Sequence, residues 1–310
     1  MMWLLAAGIV IKVLSHTAPF PFLLERFAPG DSLWHMPRGN PPTVYLTFDD
    51  GPNPAATPDL LDVLRSEDVR ATFFLIDEHL TQETAPIVRR MFAEGHAVAI
   101  HSRTRRLLLK TPDEFRDFLT EAARHIEALA GSRPCALFRP HAGWRGGPMY
   151  AGARLAGYRI VGWSWGMWDW NWYRSREGAP LAARLAKQAE AGDIIVMHDG
   201  HHENPRADRR YTVEAVARLV PALKQRGFAF GTLCGQQEPS RERGQTPLRF
   251  LPAATPSSVT ARACAYARSR SSCELNVWRG SSRAEMEKGT SWPPNGSGTI
   301  VRRPRSRRIS

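Results

Sequence analysis

Two adjacent carboxylates, Asp49 and Asp50, stand at the end of the apolar run Val44-Tyr45-Leu46-Thr47-Phe48 and just before Gly51-Pro52. Val, Tyr and Leu favour a pleated, buried backbone, and Gly-Pro turns it. Two anions side by side repel, so one has to be protonated, paired with a cation or bound to a metal. Other groups that handle protons, anions or metals occur further along. They are His101 with Ser102, Arg139 with His141, Asp169 in a tryptophan-rich stretch, and His198 with Asp199. Taken alone, Asp49 and Asp50 could equally open a loop and cap the next helix. The other groups matter only if the fold gathers them.

The elements that would gather them follow a strand–helix rhythm. Strands are predicted at 44–48, 71–76, 96–101, 136–138, 158–165, 193–197 and 228–233. Helices are predicted at 54–66, 85–93, 113–130, 148–155, 181–189 and 213–225. In the third helix Phe115, Phe118, Leu119, Ala122, Ile126 and Leu129 recur at helical spacing, and Gly131 ends it. About seven such alternations argue for an α/β fold built on a mostly parallel sheet or barrel. Each chemically suggestive residue ends a predicted strand, where parallel α/β barrels keep their active sites.

Composition bounds the rest. The chain has 310 residues, 43% of them hydrophobic, enough for a sizeable core. Of the net charge of +12, +9 comes from residues 235–310, with 13 Arg and one Lys against five Glu. That segment, rich in Ser, Arg, Pro and Gly with no periodic apolar face, is expected to be a disordered basic tail. A charge carried by one tail, with no aromatic interleaving, argues against a nucleic-acid partner. Cys135, Cys234, Cys264 and Cys273 form no CxxC pair, so their spacing supports neither a zinc cluster nor a disulfide framework. The apolar start, residues 1–14, points to an export signal or membrane anchor, hence an extracytoplasmic or membrane-associated location. Residues 1–42 form this segment and a Pro/Gly-rich lead-in, and residues 43–234 form the expected catalytic domain.

Thr47-Phe48-Asp49-Asp50-Gly51-Pro52 resembles the first motif of the polysaccharide deacetylases (NodB homology domain, carbohydrate esterase family 4). His101-Ser102 resembles the second motif, Arg139-Pro140 the third, Asp169-Trp170 the fourth and Val196-Met197-His198 the fifth. The resemblance implies a distorted (β/α) barrel with about seven parallel strands. It also implies a hydrolase that removes N-acetyl groups from N-acetylglucosamine-type glycans, chitin-like or peptidoglycan-like, and releases acetate. Ester cleavage by the same site stays open. Asp49 would be the base, and Asp50 and His101 would hold a divalent metal, commonly zinc, that activates water. His198 would protonate the departing amine, Arg139 would hold Asp49, and Asp169 would tune His198. The backbone near Ala142 would help hold the oxyanion. Trp168, Trp170 and Trp172 are candidates for stacking on sugar, while Trp163 and Trp165 are expected on one strand face.

The chain departs from this pattern at one position that matters. The family's second metal-binding histidine falls on Arg105, and a guanidinium does not replace an imidazole as a ligand. His96 lies five residues before His101 on one strand, so the two start roughly 16 Å apart and cannot share an ion. His141 is the candidate replacement, with His201 and His202 behind it, although a surface role for His141 is the plainer reading. Gly166 also stands where an acid is often found. A rival reading has Arg105 pairing with Asp50 in place of the metal, which would make the protein a metal-free or non-catalytic carbohydrate binder.

Overall fold

The computed structural model describes residue 3, residues 32–169 and residues 176–234. The tail 235–310 and most of the lead-in therefore lie outside the described residues. Among the described residues no helix is long and apolar enough to cross a membrane.

Eight strands form one sheet: β1 (Ser32–Leu33), β2 (Thr43–Gly51), β3 (Thr72–Ile76), β4 (Ala97–His101), β5 (Leu137–Arg139), β6 (Arg159–Val161), β7 (Ile194–His198) and β8 (Ala229–Phe230). Their order is β1-β6-β5-β4-β3-β2-β7, with β8 pairing the start of β2, and every pairing of named strands is parallel. Among the described residues, six α-helices cover the outside: α1 (Thr57–Ser66), α2 (Ala85–Ala93), α3 (Pro112–Ala130), α4 (Gly147–Leu155), α5 (Gly178–Gln188) and α6 (Arg210–Gln225). The result is the expected distorted (β/α) barrel.

Alternation along the strands sorts the side chains into two layers. Val44, Leu46 and Phe48 of β2 face the helices with Phe73, Leu75, Val98, Ile100, Phe138, Ile195 and Met197. Tyr45, Phe74, Ala99, Leu137, Val161, Ile194 and Val196 point into the barrel. The helices close the outer layer with one buried stripe each. Leu60, Leu61 and Leu64 do so for α1, and Phe115, Leu119, Ala122 and Ile126 for α3. A capping box between Thr111 and Glu114 satisfies the first turn of α3.

Two features differ from the sequence expectation. The strand predicted at 158–165 ends at Val161. Beyond it the chain crosses to the other edge, where the Ser164 N–H donates to the Ile194 carbonyl at 3.0 Å and Trp168 bridges Val196. Closing the barrel thus overrides the local strand pattern. Trp163 is 3% exposed and Trp165 57%, so the two do not share a buried face. The second feature is a disulfide between Cys135 and Cys234, 99 residues apart. Spacing alone could not reveal it. The fold brings the approach to β5 beside the segment just after β8, and both cysteines pack on the inner apolar cluster.

Closing so long a loop removes much of the unfolded chain's freedom. The double replacement Cys135→Ser/Cys234→Ser is expected to lower unfolding stability by about 2–5 kcal/mol. Chemical denaturation of the two proteins under non-reducing conditions measures it.

Candidate active site

The strand period that fills the barrel also aims the site. Continuing the inner face beyond Tyr45 gives Thr47 and Asp49; beyond Ala99 it gives His101; beyond Leu137, Arg139; beyond Val196, His198. All four chemical residues therefore rise from the carboxyl ends of neighbouring parallel strands. Asp50, next in β2, would face outward in a regular strand. The β2–β3 register shifts between Asp49 and Gly51, and Asp50 takes a left-handed φ of 70°. Asx residues tolerate this conformation better than most, and the resulting kink turns both acids into one pocket. The His79 ring meets the Asp50 carbonyl at 3.1 Å and secures the kink.

The pocket encloses about 500 Å³ and is lined by Asp49, Asp50, His101, Asp169 and His198, with His141, Ala142, Trp144 and Trp163 along one side. Arg176, His201, His202, Arg209 and Tyr211 complete it. Trp144, Arg209 and Tyr211 carried no motif or strand-end signal in the sequence. Trp168 lies outside this lining: its ring meets Trp165 at 5.5 Å and packs on the inner core. Trp170 and Trp172 lie outside the described residues.

The two acids are neutralised by different partners. Arg139 is fully buried, and its Nη1 donates to Asp49 Oδ1 at 2.6 Å and to Thr47 Oγ1 at 2.8 Å. Its Nη2 donates to the Gly162 carbonyl at 2.8 Å, and the guanidinium sits 4.0 Å from the centre of the Phe74 ring. Burial lowers the Arg139 pKa and Asp49 opposes the change; an arginine stays charged under such pressure. Asp50 faces His101, with Oδ1 3.3 Å from Nε2. Burial alone would raise the Asp50 pKa, but His101 outweighs it and holds the carboxyl well below the usual range.

His198 is fixed by Asp169 at two points. Its Nδ1–H donates to Oδ1 at 2.7 Å and its backbone N–H donates to Oδ2 at 2.8 Å. Burial pulls the His198 pKa down, yet the Asp169 carboxylate, helped by Asp50 and Asp49, carries it up to about 9. Behind the acid pair, Asp199 accepts from Thr57 Oγ1 at 2.5 Å, and burial pushes its pKa up to about 7.

Metal binding can be tested on the donors present. His101 Nδ1–H donates to the Arg139 carbonyl at 2.7 Å, so that loss of the Nε2 proton would present a lone pair on the side of Asp50. Asp50 Oδ1 is buried and makes no hydrogen bond. Two facing lone-pair donors, one braced from behind by a backbone carbonyl, suit a divalent cation. Among the described residues no third His, Cys, Asp or Glu completes a cluster. His141 comes nearest in type and place, its ring centre 6.4 Å from that of His101 and 4.6 Å from that of His202. It is half-buried and lines the pocket; burial, then the charges of His101 and His202, lower its pKa to about 4. His96 is buried in the outer core, where its Nδ1 accepts from the Ala71 N–H at 3.1 Å. Arg105 does not pair with Asp50: it is exposed, and its guanidinium lies over the Trp144 ring at 5.2 Å.

A family profile described as polysaccharide deacetylase matches residues 37–161. A chitooligosaccharide deacetylase of Bradyrhizobium sp. (strain ANU 289) is 38% identical over 194 residues, which is 60% of this chain and 86% of that protein. The chain belongs to the polysaccharide deacetylase family. Solved structures of this hydrolase family share its fold. The Bc1960 peptidoglycan N-acetylglucosamine deacetylase superposes with a TM-score of 0.57 at 28% identity, covering 69% of this chain and 94% of that one. A family 4 acetyl xylan esterase from Clostridium thermocellum, in complex with a cobalt ion, gives 0.54 at 30%, covering 62% and 88%.

The Asp169–His198 pair makes a direct prediction for ring-labelled histidine NMR. His198 should keep its proton through neutral pH and lose it as pH rises through about 9. In Asp169→Asn burial dominates, and the midpoint should fall to the ordinary histidine value of about 6.5 or below. A midpoint indifferent to the substitution would contradict the charge pairing.

Proposed function

We propose that the protein hydrolyses the N-acetyl groups of N-acetylglucosamine-type glycans, chitooligosaccharide or peptidoglycan, and releases acetate. The observation that carries this reading is the convergence, in one pocket, of a carboxylate held by a buried arginine and a histidine held by a second carboxylate. Cleaving a non-peptide carbon–nitrogen bond needs a base for water and an acid for a poor leaving group. Relatives named for chitooligosaccharide and peptidoglycan deacetylation supply the substrate class. The esterase among the structural neighbours keeps O-acetyl substrates within reach of the same chemistry.

In this mechanism Asp49, fixed by Arg139, takes a proton from the water that attacks the acetyl carbonyl. The new carbon–oxygen bond forms as the carbonyl electrons move onto oxygen, where the backbone at Ala142 steadies the charge. On collapse the carbon–nitrogen bond breaks, and His198 Nε2 delivers a proton to the sugar nitrogen. Asp169 keeps His198 charged and oriented until then. Asp50 and His101 would hold a divalent cation, with His141 our choice for the third donor in place of the histidine lost at 105. The chemistry such a cation supplies is polarisation of the acetyl carbonyl and a lower pKa for water. The rival reading of a metal-free binder needs Arg105 on Asp50, and Arg105 lies instead on Trp144. The Cys135–Cys234 disulfide supports an extracytoplasmic, oxidising location for the domain.

Asp49→Asn should reduce acetate release by at least about 100-fold, and His198→Ala by about 100- to 10,000-fold. Unchanged release in both variants would sink the mechanism. Metal analysis of the purified protein tests the ligand set separately. A stoichiometric ion should be lost in Asp50→Ala and in His141→Ala. An ion retained in His141→Ala moves the third position elsewhere, and an ion-free parent that gains one in Arg105→His returns the protein to the binder reading.

A further inference from the structure

The pocket's acids each have a cationic partner, whereas the arginines around it, Arg139 apart, have no carboxylate partner among the described residues. Asp49 is paired with Arg139, Asp50 with His101 and Asp169 with His198. Arg176 and Arg209 line the same space; Arg209 is buried and spends its donors on the Gly200 carbonyl and the Tyr211 hydroxyl. Arg103 and Arg105 are exposed at the edge, where Arg103 Nε donates to the His202 carbonyl. Among the described residues, no carboxylate forms an ion pair with Arg103, Arg105, Arg176 or Arg209. A cationic rim therefore surrounds a centre whose negative charge is already balanced.

Arg105 is the best organised of these groups. Its guanidinium is laid over the indole of Trp144, and Trp144 is itself a wall of the pocket. A guanidinium stacked on an aromatic face keeps the edge of its planar fork free for two parallel hydrogen bonds to a carboxylate or phosphate. The stack also limits the side-chain freedom that binding would otherwise remove. The apolar ring beneath offers a surface for a sugar.

We propose that Arg105 on Trp144 is an anion-reading subsite, so that the favoured glycan carries a carboxylate or phosphate near the acetamido group that reacts. The proposal rests on the deacetylase reading above and specifies its substrate. It also gives the departure at position 105 a use: a position that elsewhere in the family holds metal here holds substrate. Arg103, Arg176 and Arg209 add a diffuse attraction of the same sign.

The test compares acetate release by the full-length protein from three glycans of equal length. One is a neutral N-acetylglucosamine oligomer, one carries a lactyl ether carboxylate on alternate sugars, and one carries a phosphate monoester. For at least one acidic glycan, the parent's kcat/KM should exceed that for the neutral oligomer, and the advantage should shrink as salt is raised from 0.05 to 0.5 M. In Arg105→Gln the acidic-to-neutral ratio should fall about tenfold, through KM and not kcat, and Arg105→Lys should keep part of it. The preferred acidic glycan tells carboxylate from phosphate. Equal kcat/KM on all three glycans in the parent, or an equal loss on all three in Arg105→Gln, overturns the proposal and leaves the deacetylase reading standing. Acetate from none of them is the failure of that reading itself, and this proposal falls with it.

Discussion

Two carboxylates on consecutive residues at one strand end cannot both be buried as bare anions. The protein gives each its own positive partner from a different strand: Arg139 of β5 for Asp49 and His101 of β4 for Asp50. This division determines much of the surroundings. A buried guanidinium is tolerable only when its donors are used and its charge is met. Thr47, Asp49, the Gly162 carbonyl and the Phe74 ring do most of this for Arg139, occupying Nη1 and Nη2, while its buried Nε has no hydrogen-bond partner. Removing one member of such a buried pair costs about 3–5 kcal/mol because the other is left uncompensated. The acid pair is thus structural and chemical at once: the bonds that hold Asp49 ready also hold β2 to β5 across the barrel.

The architecture was legible in the sequence where a period was long. The rhythm of strands and helices, the long α3 and the clustering of Asp49, His101, Arg139 and His198 at strand ends all follow from alternation in apolar runs. Short or topological features were not legible. β1 is two residues and has no period to read. The Cys135–Cys234 bond depends on which segments the barrel brings together. Trp163 and Trp165 looked equivalent because a strand was extended through Gly162, whereas Trp34 packs so tightly there that any side-chain carbon would lie 1.9 Å from its ring. The position of the half-buried His141 between His101 and His202 is set by the loop after β5, for which no propensity rule speaks.

The electrostatic layout is concentric. Acids and the buried Arg139 occupy the centre, histidines come next, and the remaining arginines stand at the rim. The histidines there are unequal: His198 is held strongly basic by Asp169, while burial and like neighbours leave His141 weakly basic. One pocket therefore offers a proton donor and a lone-pair donor at neutral pH without any change of residue type. Few such distinctions can be read from composition, since they arise from which carboxylate each ring faces.

Gly200 follows the His198-Asp199 pair and is closely apposed to the Asp50 backbone. A Cβ at residue 200 would lie 2.0 Å from the Asp50 carbonyl oxygen, and one at Gly51 would lie 2.6 Å from Asp199. The first and fifth motifs, separated by nearly half the chain, therefore interlock through missing side chains. Gly200 cannot take a side chain while the Asp50 backbone stays in place, nor Gly51 while the buried Asp199 carboxylate does. In an evolutionary sense the two segments form a single inherited unit, and variation in this lineage should accumulate around the rim while this joint stays fixed.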